Sequence, residues 1–262
     1  DEMLKLAQIF RKKRIHRGSI EIDVPEVEIE IDDQGNPRDV FVSERFWSHR
    51  LIEEFMIAAN ESVAEYMAEK TLPALYRIHA EPARTKLDFF GRFVTAFGIR
   101  VMPEKLQQPL EIQRILREIH DQPGEFVIHN ILLRSMMKAQ YSMENVGHFG
   151  LGSKCYCHFT SPIRRYPDLM VHRLLERYLD GKTSVNMEEL IVKCKHSTEM
   201  EQRATEAERN SIKYKQAEYL VDKIGHTFDG LISGVSKWGI WVELKESKCE
   251  GMVSVKTLTD DF

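Results

Sequence analysis

Arg164 and Arg165 carry the sharpest chemical signal in this sequence. They stand in residues 148–175, HFGLGSKCYCHFTSPIRRYPDLMVHRLL. A guanidinium is planar, permanently charged and offers a fork of donors that matches two phosphate oxygens at once. Ser161-Pro162 breaks any strand or helix there, because proline lacks an N–H and biases its predecessor away from helix. Asp168 starts a helical pattern, with Leu169, Val171, His172, Leu174 and Leu175 near one face. The two arginines thus ride a stiff turn just ahead of a helix. By spacing alone two readings stand: a phosphate grip, or an arginine that ties the turn to the helix through Asp168 or another acid. Tyr166 adds a stacking face or a hydroxyl.

The elements that must hold this turn are read from period and punctuation. Residues 155–160, CYCHFT, suit a buried strand. Residues 1–17 read as a helix ending in the basic cluster RKKRIHR at 11–17, a solvated face or an RNA contact. Residues 19–24 and 27–31 alternate as strands, DDQGNP makes a turn, and 39–42 completes an antiparallel ribbon with an acidic face. Glu26, Glu28 and Glu30 on that face are spaced too far apart for a metal pair about 4 Å across and read as structural. Ser43 is expected to cap a helix to residue 70, on which Glu53, Glu54 and Asn60 read as surface or packing residues. Residues 71–79 read as a buried strand; 85–97, 110–121 and 125–142 read as helices, with Arg134, Lys138 and Tyr141 on a solvated face. Asn186 with Glu189 caps a last, polar helix expected to run to residue 224, since no Gly or Pro interrupts it before Gly225. A helix so polar bridges domains or lies in a cleft.

Composition bounds the function. The 262 residues are 42% hydrophobic, enough for one large or two ordinary domains with a real core. The net charge of −4 gives no global basic excess, so any RNA path is a local basic lining. The four cysteines, at 155, 157, 194 and 249, have no zinc or disulfide spacing, which points to a reduced, cytoplasmic compartment. No run approaches the length of a membrane span, and the N-terminus is charged rather than signal-like. Lacking an initiator Met, the chain reads as a piece of a longer protein.

The run His148-Phe149-Gly150-Leu151, then Tyr156, then FTSPIRRY at 159–166, with Asp168 and His172, resembles the signature of the ribonuclease II/ribonuclease R family. LIEEFMIAAN at 51–60, PALYRIH at 73–79 and ILLRSMMKAQYS at 131–142 extend the resemblance over nearly the whole chain, closer to the ribonuclease R branch. Cys157 departs from the usual Ala, Ser or Thr but is small enough to pack the same way.

The resemblance implies an α+β fold: residues 1–185 are the largely helical C-terminal part of an RNB-type catalytic domain with a small antiparallel sheet, and 186–225 a long connecting helix. Residues 226–262 would be the first strands of an OB-fold RNA-binding barrel, cut short. It implies a processive 3′-to-5′ exoribonuclease that releases nucleoside 5′-monophosphates from single-stranded RNA, acting as a cytoplasmic monomer without membrane association. The magnesium it needs would sit on aspartates upstream, with no metal ligand in this chain, leaving the chain alone inactive. Arg164 and Arg165 would neutralise charge on the phosphoryl group, and Tyr166 and Glu208 would hold or expel the terminal nucleotide; Glu206 and Glu201 match the acidic position less well. Tyr76, Arg77 and His79 would flank the RNA channel. Phe228, Trp238 and Trp241 would stack on bases, although Ile240 stands where the family often has Phe. The competing class is a non-catalytic RNA-binding protein with a degenerate nuclease fold. A small phosphorylated metabolite lacks the Gly-rich phosphate loop it would need.

Overall fold

The computed structural model describes residues 1–22, 26–122 and 124–258. In chain order its elements are α1 (Glu2–His16), β1 (Val27–Ile31), β2 (Pro37–Val42), α2 (Trp47–Glu69), β3 (Tyr76–Ile78), α3 (Arg84–Ala96), α4 (Pro109–Ile119), α5 (Glu125–Ser135), β4 (Gln140–Ser142), α6 (Tyr166–Leu179), α7 (Met187–Val221), β5 (Gly230–Ser236), β6 (Gly239–Leu244) and β7 (Glu250–Ser254). The fold is α+β, with small antiparallel sheets β1–β2, β3–β4 and β5–β6–β7. Among the described residues no helix is long and apolar enough to cross a membrane. The chain forms two compact units, Asp1–Ile22 with Arg45–Gln202, and Asp23–Glu44 with Arg203–Phe262.

The first unit has two cores. Leu87, Phe90 and Val94 recur along α3 at helical spacing, as do Ile112, Ile115 and Ile119 on α4 and Ile128 and Leu132 on α5, and these faces close on one another. The second core joins Ala64 and Met67 of α2, Leu75, Tyr76 and Ile78 around β3, Tyr141 of β4, and Met170, Val171, Leu174 and Tyr178 of α6. Cys155 and Cys157 are sunk into this core, so the segment leading into Arg164 and Arg165 is pinned from below. Burial pushes the Cys155 thiol up to about 11 and the Cys157 thiol higher still, leaving both as inert packing groups.

Helix α1 locks onto α2 through a buried ion pair. Arg14 Nη2 donates to Glu54 Oε1 at 2.6 Å and its Nη1 donates to Ser19 Oγ at 2.6 Å. Gln113 Nε2 closes the joint on the carbonyls of Ile15 and Ser19. The middle of the basic cluster is therefore internal, while Arg17 ion-pairs with Glu61 nearer the surface.

In the second unit, Asp32 accepts backbone N–H groups from Gln34 and Asn36 and so builds the β1–β2 turn. Glu28 accepts the Ser43 hydroxyl and Glu30 lies 3.7 Å from Arg38. Lys215 on α7 donates to the Gly35 carbonyl and Tyr219 donates to Asp39. β5, β6 and β7 form a meander in which Trp241 sits opposite Gly234 and Met252. Only glycine fits at 239, because a Cβ there would stand 2.1 Å from the Val253 carbonyl oxygen.

Several expected elements differ. The helix expected over 125–142 stops at Ser135, whose hydroxyl bonds back to the Ile131 carbonyl, and Met136 is extended. Residues 140–142 instead pair with β3, Tyr141 opposite Arg77, so Lys138 and Tyr141 leave the helix face. Residues 155–157 are buried and 158–160 half-buried, but they form no ladder; one bond, from Arg77 N–H to the Tyr156 carbonyl at 2.8 Å, ties them to β3. Ser43 caps no helix, since its hydroxyl is taken by Glu28 and α2 begins at Trp47. Residues 19–22 are irregular rather than a strand: Ile20 N–H donates to the Gly150 carbonyl and Ile22 packs on the α3–α5 core. The expected residues 23–24 of that strand, and Phe262 at the end of the chain, lie outside the described residues. α7 ends at Val221 rather than at residue 224.

Candidate functional site

The loop between Tyr156 and α6 is held by three side chains. Asn60, buried on α2, accepts at Oδ1 the N–H of Phe159 at 2.9 Å and of Thr160 at 3.2 Å, and donates from Nδ2 to the Tyr156 hydroxyl at 2.9 Å. Two N–H donors facing one oxygen fix which way the amide points. Asp168, fully buried in the first turn of α6, accepts at Oδ1 from Ser161 N–H at 2.8 Å and from Arg165 Nη2 at 2.7 Å. His172, one turn further, bonds the Phe159 carbonyl at 2.8 Å and stacks on the Phe159 ring at 3.9 Å. Pro162 and the bond from Arg165 N–H to the Ser161 carbonyl complete the turn.

This framework separates the two arginines. Arg165 is the residue that ties turn to helix, and it also faces a cavity. Arg164 is exposed beside a fully exposed Ile163; its N–H bonds to the Ser161 carbonyl, but among the described residues its side chain makes no hydrogen bond or ion pair. The reading of an arginine that ties turn to helix is thus realised in Arg165. Tyr166 at the start of α6 is about half exposed.

The cavity, about 540 Å³, is lined by His49, Ile52, Glu53, Met56, Ile57 and Asn60 of α2 with Leu151, Tyr156 and Arg165. The α2 residues recur every three or four positions and form one face of the helix. Its wall is mainly apolar, with a carboxylate at Glu53, an imidazole at His49 and a guanidinium at Arg165. Glu53 and Asn60 were read from sequence as surface or packing residues, and His49 was not singled out. Their signal was a line of polar side chains at 49, 53 and 60 inside an otherwise apolar stripe.

Beneath the loop lies a chain of rings: His79, His148, Tyr156, His158 and Tyr141, each 5.1 to 5.8 Å from the next. His79 Nδ1 accepts the Gly150 N–H at 3.0 Å, so Nε2 carries the proton and donates to the Met137 carbonyl at 2.7 Å. Burial drives the His148 imidazole down to about 3. Burial, reinforced by the Arg165 and Arg77 charges, drives His158 down to about 2. Unfolded imidazoles protonate near pH 6.5, so these two groups stabilise the fold fully above that pH, and the contribution is lost as pH falls from about 6.5 toward 3. We expect stability to drop by about 2 kcal/mol for each of them between pH 6.5 and pH 5, before the carboxylates titrate. Denaturant melts at pH 7.5 and pH 5 check this; equal midpoints would contradict neutral buried imidazoles.

The remaining expected site residues fall in different settings. Tyr76 is buried in the core, and burial raises its hydroxyl to about 12. Both ring nitrogens of His79 are engaged, and His79 is buried like Tyr76. Arg77 is held by Glu201 at 2.5 Å and lies 4.7 Å from the centroid of the Tyr141 ring. In the second unit Glu206 and Glu208 are exposed on α7 and, among the described residues, form no ion pair with Arg203 or Arg209. There too Phe228, Trp238 and Trp241 are exposed at 43%, 65% and 41%, with Lys237 over the Trp238 ring at 4.8 Å.

Carboxylates of the first unit do not fit a magnesium ion at the loop. Asp168 is taken by Arg165 and Glu53 by Arg45. The grouping His120, Asp121 and Glu125, the one cluster among the described residues with metal-ligand proximity, is bonded to itself: Glu125 accepts from Asp121 N–H and from His120.

Comparison with known proteins gives the family. The RNB domain model matches residues 1–181. Ribonuclease R of Aquifex aeolicus is 41% identical over 99% of this chain and 37% of its own length; that of Escherichia coli is 33% identical over 100% of this chain and 34% of its own. The chain therefore spans about a third of the length of these curated relatives. Mycoplasma genitalium RNase R, solved in complex with ribose methylated single-stranded RNA, superposes with a TM-score of 0.91 at 30% identity over 99% of this chain and 42% of that one. Yeast Ssd1, a pseudonuclease, shares the fold alone, with a TM-score of 0.72 at 21% identity over 97% of this chain and 32% of that one. With the family model covering the segment that holds the arginine loop and its α2 clamp, the chain belongs to the RNB domain family.

Proposed function

We propose that this chain is part of a processive 3′-to-5′ exoribonuclease acting on single-stranded RNA in the cytoplasm as a monomer, and that it supplies the arginine side of the active site. In the reaction, water adds to phosphorus at the terminal phosphodiester and the bond to the 3′ oxygen breaks. A nucleoside 5′-monophosphate departs, and the shortened RNA keeps a 3′ hydroxyl. The observation that carries this reading is the loop that carries Arg164 and Arg165, of which Arg165 lines the α2 cavity. A charge that develops on non-bridging phosphoryl oxygens is best stabilised by a donor fixed in advance, and Asn60, Asp168 and His172 fix this loop. Buried polar atoms without partners at Thr160 Oγ1, Arg165 Nε and Asp168 Oδ2 are further valences in the same loop.

The α2 cavity takes the terminal nucleotide, with Met56 and Ile57 against the base and Glu53 and His49 within reach of sugar hydroxyls. Tyr166 holds or releases that nucleotide. As the family resemblance implies, magnesium belongs to residues upstream of this chain, and the chain alone is inactive. Residues 230–254 are the opening strands of an OB-fold, and Phe228, Trp238 and Trp241 offer faces on which any base can stack for about 1–3 kcal/mol each.

Directionality tests the reading. The protein extended upstream to the length of its relatives should release a 3′-terminal label at once as mononucleotide, while a 5′ label shortens one nucleotide at a time. Internal fragments, or release of the 5′ label first, would overturn it.

A further inference from the structure

We infer that Phe46 and Trp47, at the start of α2, form a stacking platform for the bases of single-stranded RNA that precede the nucleotide held in the α2 cavity. This inference rests on the function proposed above. The cavity wall on α2 runs through His49, Ile52, Glu53, Met56 and Asn60, and one step of the same period back from His49 reaches Phe46. The Phe46 and His49 rings meet edge to face at 5.7 Å, so the wall continues outward without a break. Phe46 is 57% exposed and Trp47 50% exposed, neither in the core.

Two consecutive large aromatics left in solvent at the mouth of a cavity are what a single strand needs and what a core does not. Their electrostatic setting selects nucleic acid over an apolar protein segment. The guanidinium groups of Arg11 and Arg50 each lie 5.8 Å from the centroid of the Trp47 ring. Glu21 holds the Arg11 guanidinium in position with a 2.7 Å bond. Arginine planes accept bases as aromatic rings do and attract the connecting phosphates. In a chain of net charge −4, this end of α2 combines aromatic faces with local positive charge next to the cavity.

The test is binding of oligouridylates from 3 to 12 nucleotides to the intact protein without divalent metal, followed by anisotropy. Phe46→Ala and Trp47→Ala should each weaken the 12-mer by about 5- to 150-fold, leave the trinucleotide unchanged, and be rescued by Phe46→Tyr and Trp47→Phe. Wild-type affinity of the alanine variants for the 12-mer would overturn the platform and turn the aromatic pair over to a protein partner. Equal losses at every length would also overturn it, as damage to the cavity. If the wild-type protein binds no oligouridylate at all, the proposed function fails along with the platform; loss of the platform alone leaves wild-type binding intact.

Discussion

Arg164→Ala, introduced into the intact protein, is expected to lower RNA turnover by about 10²- to 10³-fold while changing RNA affinity little, the size of effect seen when one preorganised donor is removed from a developing oxyanion. The expectation follows from geometry. The Arg164 side chain is exposed and, among the described residues, has no hydrogen bond or ion pair, so its removal breaks no contact that the fold depends on. The loop that aims it stays in place through Asn60, Asp168 and His172. Arg164→Lys should recover part of the rate, since a point charge stabilises the phosphoryl group but cannot reproduce the two-pronged fork. Single-turnover rates and equilibrium binding, measured on the same variant, separate the two effects. Equal losses in both would reduce Arg164 to a binding residue.

The neighbouring arginine leads to the opposite result. Asp168→Ala should destabilise the protein by about 3–5 kcal/mol, because it strips the partner from a guanidinium held in a largely buried site and leaves the Ser161 N–H unsatisfied. Asp168 is fully buried and the Arg165 side chain is 19% exposed. For a chain of this size the thermal midpoint should fall by roughly ten degrees. Asp168→Asn, which keeps an acceptor for Ser161, should cost less. Replacing both residues, as Arg165→Met with Asp168→Leu, should cost less than Asp168→Ala, since no charge is then stranded. A thermal midpoint unchanged by Asp168→Ala would remove the pair from its place as the loop's anchor.

What could be read from residues alone follows the physics of each signal. Helices α1, α3 and α4 announced themselves by apolar spacing and by the Gly and Pro that bound them. The false helix over 136–142 came from a stretch with no breaker. Its end is set by the pairing of Tyr141 with Arg77 of β3, which local sequence does not encode. The strand expected at 155–160 had the right composition, yet its burial comes from packing on α2 and α6 rather than from a ladder. At the site, the arginine turn was legible because proline and Asp168 punctuate it. The division of labour between Arg164 and Arg165 was not, since it depends on which of two adjacent side chains Asp168 captures. Asn60 and Glu53 were missed for a related reason: a polar residue on an amphipathic helix looks solvated until the loop that covers it is known.

The central claim is that this chain holds the charge-stabilising side of a phosphodiester site whose metal side lies elsewhere. Its most direct test is a nuclease assay on labelled single-stranded RNA with magnesium, comparing the 262-residue chain with the same chain extended upstream to the length of its relatives. Mononucleotide release by the extended chain only is the predicted result. Release by the 262-residue chain itself would mean that its own carboxylates bind the metal, and would contradict the account.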